Sequence, residues 1–372
     1  MACMTNRIYL DYAATTPVVP EVYKAMRPYF SEKYGNPGSL HSFGQEALAA
    51  VDRARETIAA LIGARFDEVI FTSSATEANG LALRSVAKKL KAESHKVIVS
   101  AIEHKSVLEA AHELFPEVVE LPVSHEGIVD IEALKGALHE RTGLVSIMCV
   151  NNEIGVVEPI AEIARIIKEF KAVSDGPLFH TDASHAFQHL PCNVDELGVD
   201  MMTLCAHKIY GPKGVGALYV RGGVDRDLRR GTENVPNIVG FARAAELAAE
   251  RRESEEKRLR KLLARFVEGV KRTYPKAEIN GPAAEAANRA PHIVNIAFPG
   301  KKGEELLIKL DNAGVAVSTG AACRSRAVLP SYVLEALGHP RERARASVRI
   351  SFGMTTTEAE IDEAVQRLAD AL

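Results

Sequence analysis

A lysine between two apolar runs is where chemistry first suggests itself. Residues 203–216 read T-L-C-A-H-K-I-Y-G-P-K-G-V-G, with an apolar run over 199–205 leading in and a β-rich run over 215–220 leading out. Lys208 thus falls where a buried strand would end. Desolvation favours the neutral amine, and a neutral amine is a nucleophile toward carbonyl carbon. An ordinary surface turn holding two lysines would read the same way. Upstream, Ser73–Thr76 follows an apolar run and Ser74-x-x-Glu77 is a capping-box pattern, so a helix begins there. The outward N–H groups and dipole of that helix start suit an anion such as a phosphate, although a plain capped helix carries the same residues. His104, Asn152 and Asp182 each stand just after a further apolar run.

The elements that would position these residues can be read from periodicity. Strands are expected over 68–72, 96–100, 144–150 and 177–181, each followed by polar residues, and a helix follows each of the first three. The helices are expected over 42–62, from about 75 to 90, up to 114, and over 160–173. In the first, Ala47, Val51, Ala54, Ile58 and Leu61 recur at helical spacing and Gly63 stops it. Strands alternating with helices predict an open, mainly parallel α/β sheet whose ligands bind at the carboxyl ends of its strands. Ahead of it lie a short strand over 8–14, a helix over 21–30 and a Gly/Pro loop over 34–39. A long helix is expected over 238–273, where the charge run 251–261 reads as a solvated face. Beyond Pro275, strands at 292–298, 315–318 and 347–352 interleave with helices at 303–313, 331–337 and 358–371. We expect a large domain over 15–250 and a smaller α+β domain formed by 1–14 and 251–372.

Composition excludes several classes. The chain has 372 residues, 46 basic and 49 acidic, with net charge -3. No basic excess points to nucleic acid, and no polybasic tail or apolar run of roughly 20 residues points to a membrane. The N-terminus lacks the apolar stretch of a signal peptide. The five cysteines (Cys3, Cys149, Cys192, Cys205 and Cys323) are scattered and form no C-x-x-C pair. That fits free thiols in a reducing cytoplasm better than a disulfide frame or a zinc site.

The order of the candidates says more than any one of them. A phosphate-type turn, a histidine, an asparagine, an aspartate and a lysine follow one another at successive strand ends. Pyridoxal 5'-phosphate (PLP) needs a Schiff-base lysine, a carboxylate for its pyridine nitrogen, a phosphate cup and a ring to stack on.

With these motifs the chain resembles the cysteine desulfurases, in the class V branch of the fold-type I PLP enzymes. The resemblance runs over nearly the whole chain. It rests on Y-L-D-Y-A-A-T-T-P, G-N-P-G-S, F-T-S-S-A-T-E-A-N, E-H-K-S-V, N-N-E-I-G-V-V, H-T-D-A, A-H-K-I-Y-G-P-K-G-V-G-A-L-Y, R-R-G-T-E-N-V-P, S-T-G-A-A-C-R-S and P-S-Y-V-L-E-A-L-G. It implies a large domain with a mainly parallel seven-stranded sheet flanked by helices, plus a small α+β domain carrying the catalytic-cysteine loop.

The resemblance further implies a set of roles. Lys208 matches the Schiff-base lysine and His207 its phosphate-binding neighbour. Ala75 and Thr76 match the phosphate cup, His104 the stacking and proton-relaying ring, and Asp182 the partner of the pyridine nitrogen. Asn152 lies beside the ring and the substrate carboxylate, and Arg349 clamps that carboxylate. Thr232 reaches the cofactor phosphate of a second subunit, so a homodimer is expected. Cys323 takes sulfur from L-cysteine as a persulfide, leaving L-alanine, and passes it to an acceptor protein in iron–sulfur cluster assembly, tRNA thiolation or another thio-modification.

Two of these roles have local support. In S-V-R-I-S-F, Arg349 faces away from Val348, Ile350 and Phe352. Cys323 sits among small residues beside Arg324 and Arg326, which favour the thiolate.

The chain also departs from the family's pattern. His185 replaces a glutamine at the cofactor's ring oxygen and could titrate near neutrality. Cys205 replaces a serine that donates to the phosphate. The stretch 221–231 is short, and the C-terminal scaffold-docking tail is missing or replaced. Selenocysteine cleavage, transamination and a catalytically weak scaffold role are the alternatives.

Overall fold

The computed structural model describes residues 7–89, 95–171, 176–223, 231–319 and 330–372. The chain opens with β1 (Ile8–Tyr9), α1 (Pro20–Met26) and α2 (Pro28–Ser31). The expected helix over 21–30 is divided because Pro28 lacks the N–H that would continue the first helix, and the second starts on it. Helix α3 (Ser42–Ile62) follows and ends at Gly63, whose φ of 70° is left-handed.

Next come β2 (Val69–Thr72), α4 (Ala75–Lys89), β3 (Lys96–Ser100), α5 (Lys105–Leu114), β4 (Glu117–Leu121), α6 (Ile131–Ala137), β5 (Thr142–Ser146), α7 (Ile160–Lys171), β6 (Leu178–Asp182), α8 (Val194–Leu197), β7 (Met201–Cys205) and β8 (Gly216–Val220). The seven strands β2 to β8 form one sheet in the order β2-β8-β7-β6-β5-β3-β4. Only β8 runs antiparallel to its neighbours β2 and β7; the other pairs are parallel. The strand expected over 144–150 leaves regular pairing at Ser146, although Ile147 and Cys149 still donate to His180 O and Asp182 O. Strand β4 and helix α6 had no counterpart in the sequence expectation. β4 is an edge strand of mixed polarity, E-V-V-E-L, so its apolar signal is weak.

Helix α9 (Val235–Thr273) is 39 residues long. It is followed by β9 (Glu278–Asn280), β10 (Ile293–Ala297), α10 (Gly303–Asn312), β11 (Val315–Ala316), α11 (Tyr332–Ala336), α12 (Arg341–Arg345), β12 (Ser347–Ser351) and α13 (Glu358–Ala371). β12, β10 and β9 make an antiparallel sheet, and β1 pairs in parallel with β11.

Two main apolar cores result. One lies against the large sheet and takes Val235, Ile238, Phe241 and Leu247 from the start of α9. The other takes Leu259, Leu262, Phe266 and Val270 from its end, with Val348, Ile350 and Phe352 beside β12 and Ile8 and Leu10 from the N-terminal segment. The charged residues between them pair with one another or with the chain around them, as Arg258 does with Glu255 at 2.8 Å.

Candidate active site

Strand β7 delivers Lys208. The chain leaves the strand at Cys205 and makes one tight turn, and β8 returns at Gly216. Lys208 Nζ donates to the carbonyls of Ala13 at 2.6 Å and Ala14 at 2.8 Å. The same N-terminal turn is tied down by Thr16, whose N–H and hydroxyl both donate to His207 O. Burial pushes the Lys208 pKa down to about 8. Arg349 acts in the same direction, while Cys205, Asp11 and Asp182 oppose it. Near neutrality this lysine therefore has a far larger neutral fraction than an exposed one.

Strand β6 delivers Asp182, which is 6% exposed. Its carboxylate accepts from Ser184 N at 2.9 Å and from Asn79 Nδ2 at 2.7 Å. Asn79 Nδ2 also donates to Ser106 Oγ at 2.9 Å, and Ser106 Oγ lies 2.8 Å from His104 Nδ1. The backbone N–H of Ser106 points at the same ring nitrogen, 3.2 Å away. A backbone N–H can only donate, so Nδ1 is the acceptor and Nε2 carries the proton of neutral His104. Burial lowers the His104 pKa, with Asp182 opposing, which favours that neutral form.

Helix α4 begins at Ala75 and so presents Ala75 and Thr76 at its first turn. Ser74 Oγ accepts from Glu77 N at 3.1 Å, while the Glu77 carboxylate accepts from Ser73 N, one residue earlier than the expected capping box. The N–H groups of Ala75 and His207 both reach the Cys205 sulfur. Burial raises the Cys205 pKa to about 11, so it remains a thiol and a weak donor. Gly216 keeps this corner tight: a Cβ there would stand 2.8 Å from Leu204 O and 2.9 Å from Ser74 C. His207 Nδ1 lies 3.2 Å from Thr15 Oγ1, and burial next to Lys208 and Lys213 drops its pKa to about 4.

Arg349 lies at the middle of β12 and is 5% exposed. Nη1 donates to Asn152 O at 3.0 Å and Nη2 to Asp11 Oδ1 at 2.8 Å, while Nε is buried without a partner among the described residues. Asn152 is held in place by its neighbour Asn151, whose side chain accepts from Glu153 N and Ile154 N and donates to Ile102 O.

His185 starts a stack of rings. Its centroid is 6.3 Å from that of His292, which in turn stacks on His189 at 3.8 Å. Burial holds His185 well below the usual range, with Lys208, His292, Arg349 and His104 adding to the effect. The expected titration near neutrality is thereby corrected: His185 stays neutral.

Lys208 is thus an electrostatic neighbour of Asp182, His104, His185 and Arg349 alike, groups drawn from both cores. Thr232 lies elsewhere, in a groove of about 620 Å³ shared with Asn36, Pro37, Arg55 and Phe71. Cys323 and residues 224–230 of the shortened stretch 221–231 lie outside the described residues. Among the described cysteines, burial raises Cys149 well above its ordinary value and Cys192 to about 12. No group of three His, Cys, Asp or Glu among the described residues could hold a metal ion, and none of their helices is long and apolar enough to cross a membrane.

Sequence reasoning missed Asp11, Asn79, Ser106, His189, His292 and the carbonyls of Ala13 and Ala14. Only Asn79 left a usable signal. It stands three and four positions after Thr76 and Ala75, on the helix face they share.

The residues present fit PLP. A partly deprotonated amine, a carboxylate held by two donors, and N–H groups converging at a helix start are the parts it requires. The chain matches the family described as Aminotransferase class-V over residues 8–230 and 222–364. It is 44% identical to the cysteine desulfurase IscS of Dictyoglomus turgidum, with 99% of this chain and 96% of that protein covered. It is 42% identical to the cysteine desulfurase IscS of Rickettsia massiliae, with 99% and 92% covered. Among solved structures, a NifS-like protein superposes with a TM-score of 0.90 at 36% identity, covering 98% of this chain and 99% of that one. SspA in complex with cysteine gives 0.79 at 33% identity, covering 93% and 99%. With matches spanning nearly its whole length, the chain belongs to the aminotransferase class-V family and, within it, to the PLP-dependent cysteine desulfurases.

Proposed function

We propose that this enzyme converts L-cysteine to L-alanine and takes the sulfur as a persulfide on Cys323, for transfer to an acceptor protein. The observation that carries this reading is the convergence of Lys208, Asp182 and Arg349 on one site. PLP, when bound, supplies an electron sink next to the substrate's α-carbon. Lys208 would hold its aldehyde carbon and Asp182 its ring nitrogen. His104 would lie against the ring, and His185 would meet the ring oxygen. Ala75, Thr76, Cys205 and His207 would line its phosphate. Arg349 and Asn152 would bind the substrate's α-carboxylate. His104, neutral with Nδ1 turned to Ser106, presents its Nε2–H toward the site as a hydrogen-bond donor. The Cys323 thiolate attacks the substrate's sulfur and the C–S bond breaks. Its electron pair goes to the β-carbon, which gains a proton and becomes the methyl group of alanine.

We further propose a homodimer in which Thr232 serves the partner's phosphate. Supporting this, Tyr23, Phe30, Tyr34, Leu40 and Phe43 are large apolar side chains exposed along one segment, and the groove holding Thr232 is lined by Asn36–Gly38 from that segment. A division into 15–250 and 1–14 with 251–372 is consistent with the two cores meeting along α9. Free buried thiols at Cys149, Cys192 and Cys205 suit a reducing cytoplasm. The acceptor belongs to iron–sulfur cluster assembly, tRNA thiolation or another thio-modification.

Mass spectrometry of enzyme treated with L-cysteine tests the reading. One extra sulfur atom is expected on the Cys323 peptide, and Cys323→Ser should keep the cofactor's absorbance yet release almost no alanine or sulfide. Normal turnover by Cys323→Ser, or sulfur on Cys149 or Cys205 instead, overturns it.

A further inference from the structure

Arg349 already holds a carboxylate, and it comes from the protein. Asp11 Oδ1 accepts from Arg349 Nη2 at 2.8 Å, and the Asp11 side chain is 21% exposed against 6% for Arg349. The bond uses half of one edge of the guanidinium. Elsewhere in this chain, Arg265 shows what the full edge does: its Nε and Nη2 take the two oxygens of Asp362 at 2.7 and 2.6 Å. On Arg349 the corresponding Nε is buried and has no partner among the described residues, while Nη2 is spent on Asp11. A ligand carboxylate that docks on this edge in the Arg265 manner must take Nη2 from Asp11 or share it.

Asp11 is also unable to swing far away. Its backbone bridges Ser351 on the same strand as Arg349, and Ala13 N donates to Ser351 Oγ at 2.9 Å. Its carbonyl accepts from Tyr9 OH at 3.0 Å. Two residues on, Ala13 O holds Lys208. Among the described residues, the remaining ionisable groups around Arg349 are Tyr9, Glu153, Lys208, His185 and His292. Burial raises Glu153 and lowers both histidines, so all three lean toward their neutral forms. Asp11 is therefore the carboxylate that balances Arg349.

We propose that Asp11 is a built-in competitor for the substrate's α-carboxylate at Arg349, a specificity-setting residue that keeps the site's grip on carboxylates weak. The proposal rests on Arg349 being the carboxylate clamp. A ligand offering only a carboxylate meets an arginine whose charge is already countered. An amino acid, which gains further contacts at the cofactor, can still displace Asp11. The same competition loosens the product, which keeps the α-carboxylate but has lost its sulfur.

The test uses the PLP-loaded enzyme with propionate as the probe. Asp11→Asn preserves shape and an acceptor for Arg349 but removes the charge. The inhibition constant of propionate against L-cysteine should fall about 3- to 10-fold, the scale separating charge-assisted from neutral hydrogen bonds. The KM for L-cysteine should fall with it, and propionate should perturb the cofactor's absorbance at correspondingly lower concentration. Asp11→Ala should shift the same three quantities in the same direction. Were Asp11 only a structural tie for Arg349, both variants would leave these constants unchanged or raise them, and that result overturns the proposal. Arg349→Ala separates this failure from a failure of the clamp itself. Loss of propionate inhibition in Arg349→Ala, with no tightening in the Asp11 variants, sinks the competitor alone. Retained inhibition in Arg349→Ala sinks the clamp and the competitor together.

Discussion

The Asn79 amide nitrogen lies 2.7 Å from Asp182 Oδ2 and 2.9 Å from Ser106 Oγ, so one side chain on α4 joins the carboxylate at the end of β6 to the hydroxyl that orients His104. Asn79 is fully buried, and its own Oδ1 has no partner among the described residues. A carboxylate at 6% exposure needs donors, and Asn79 is one of the two that Asp182 has among the described residues.

Asn79→Leu should accordingly weaken cofactor retention. Leaving a buried charged acceptor short of a donor costs about 1–3 kcal/mol, which corresponds to roughly 5- to 150-fold in affinity. Equilibrium dialysis followed by the cofactor's absorbance measures it. Wild-type retention in the variant would show that Asp182 does not depend on this bond.

Lys208 sets a pH dependence for loading. Only the neutral amine attacks an aldehyde, and burial brings its pKa down to about 8. The rate at which apoenzyme takes up PLP should therefore rise as pH increases through about 8 and level off above it. A rate still climbing past pH 10, as for an exposed lysine, would contradict the burial seen here.

Glu158 carries a stability prediction of the opposite sense. Its Oε2 accepts from Val129 N at 3.0 Å, its Oε1 has no partner among the described residues, and burial raises its pKa from 4.5 to about 8. Between those two values the folded state binds a proton that the unfolded state has released. This group's contribution is therefore complete below pH 4.5 and is lost as pH climbs through about 8. Glu158→Gln should flatten the decline in melting temperature over that window. An identical slope in the variant would mean that Glu158 is ionised in the folded protein.

His185 gives a negative prediction. Because burial and the nearby Lys208, Arg349 and His292 keep it neutral, His185→Gln should leave the pH–rate profile between pH 6 and 8 unshifted. An inflection that disappears in the variant would show that His185 takes up a proton in the working range.

What the sequence revealed, and what it hid, follows from how far apart the partners lie in the chain. Lys208, Asp182, His104 and the Ala75–Thr76 turn each sit just past an apolar run, and a parallel α/β sheet places its ligand groups there. Local pattern therefore suffices for them. The partners that orient them come from anywhere: Asp11 meets Arg349 across 338 positions, and Ala13 meets Lys208 across 195. Nothing in the periodicity near Asp11 marks it, because a short strand with a turn needs only backbone pairing to Val315 and Ala316. His292 looked like the start of a strand, but it precedes the strand and turns inward to stack on His189. The helix at 42–62 was legible to the residue because Gly63 must be left-handed, whereas the 21–30 helix was overextended across Pro28.

Helix α9 is an unbroken rod of 39 residues, roughly 58 Å at the usual rise per residue. One end is embedded in the core behind Asp182 and Lys208, the other in the core behind Arg349. A spar shared in this way works against hinging, because opening the two halves would bend the helix or strip apolar side chains from one of its ends. Heat or denaturant should likewise take both halves down in one cooperative event, with no half-unfolded intermediate.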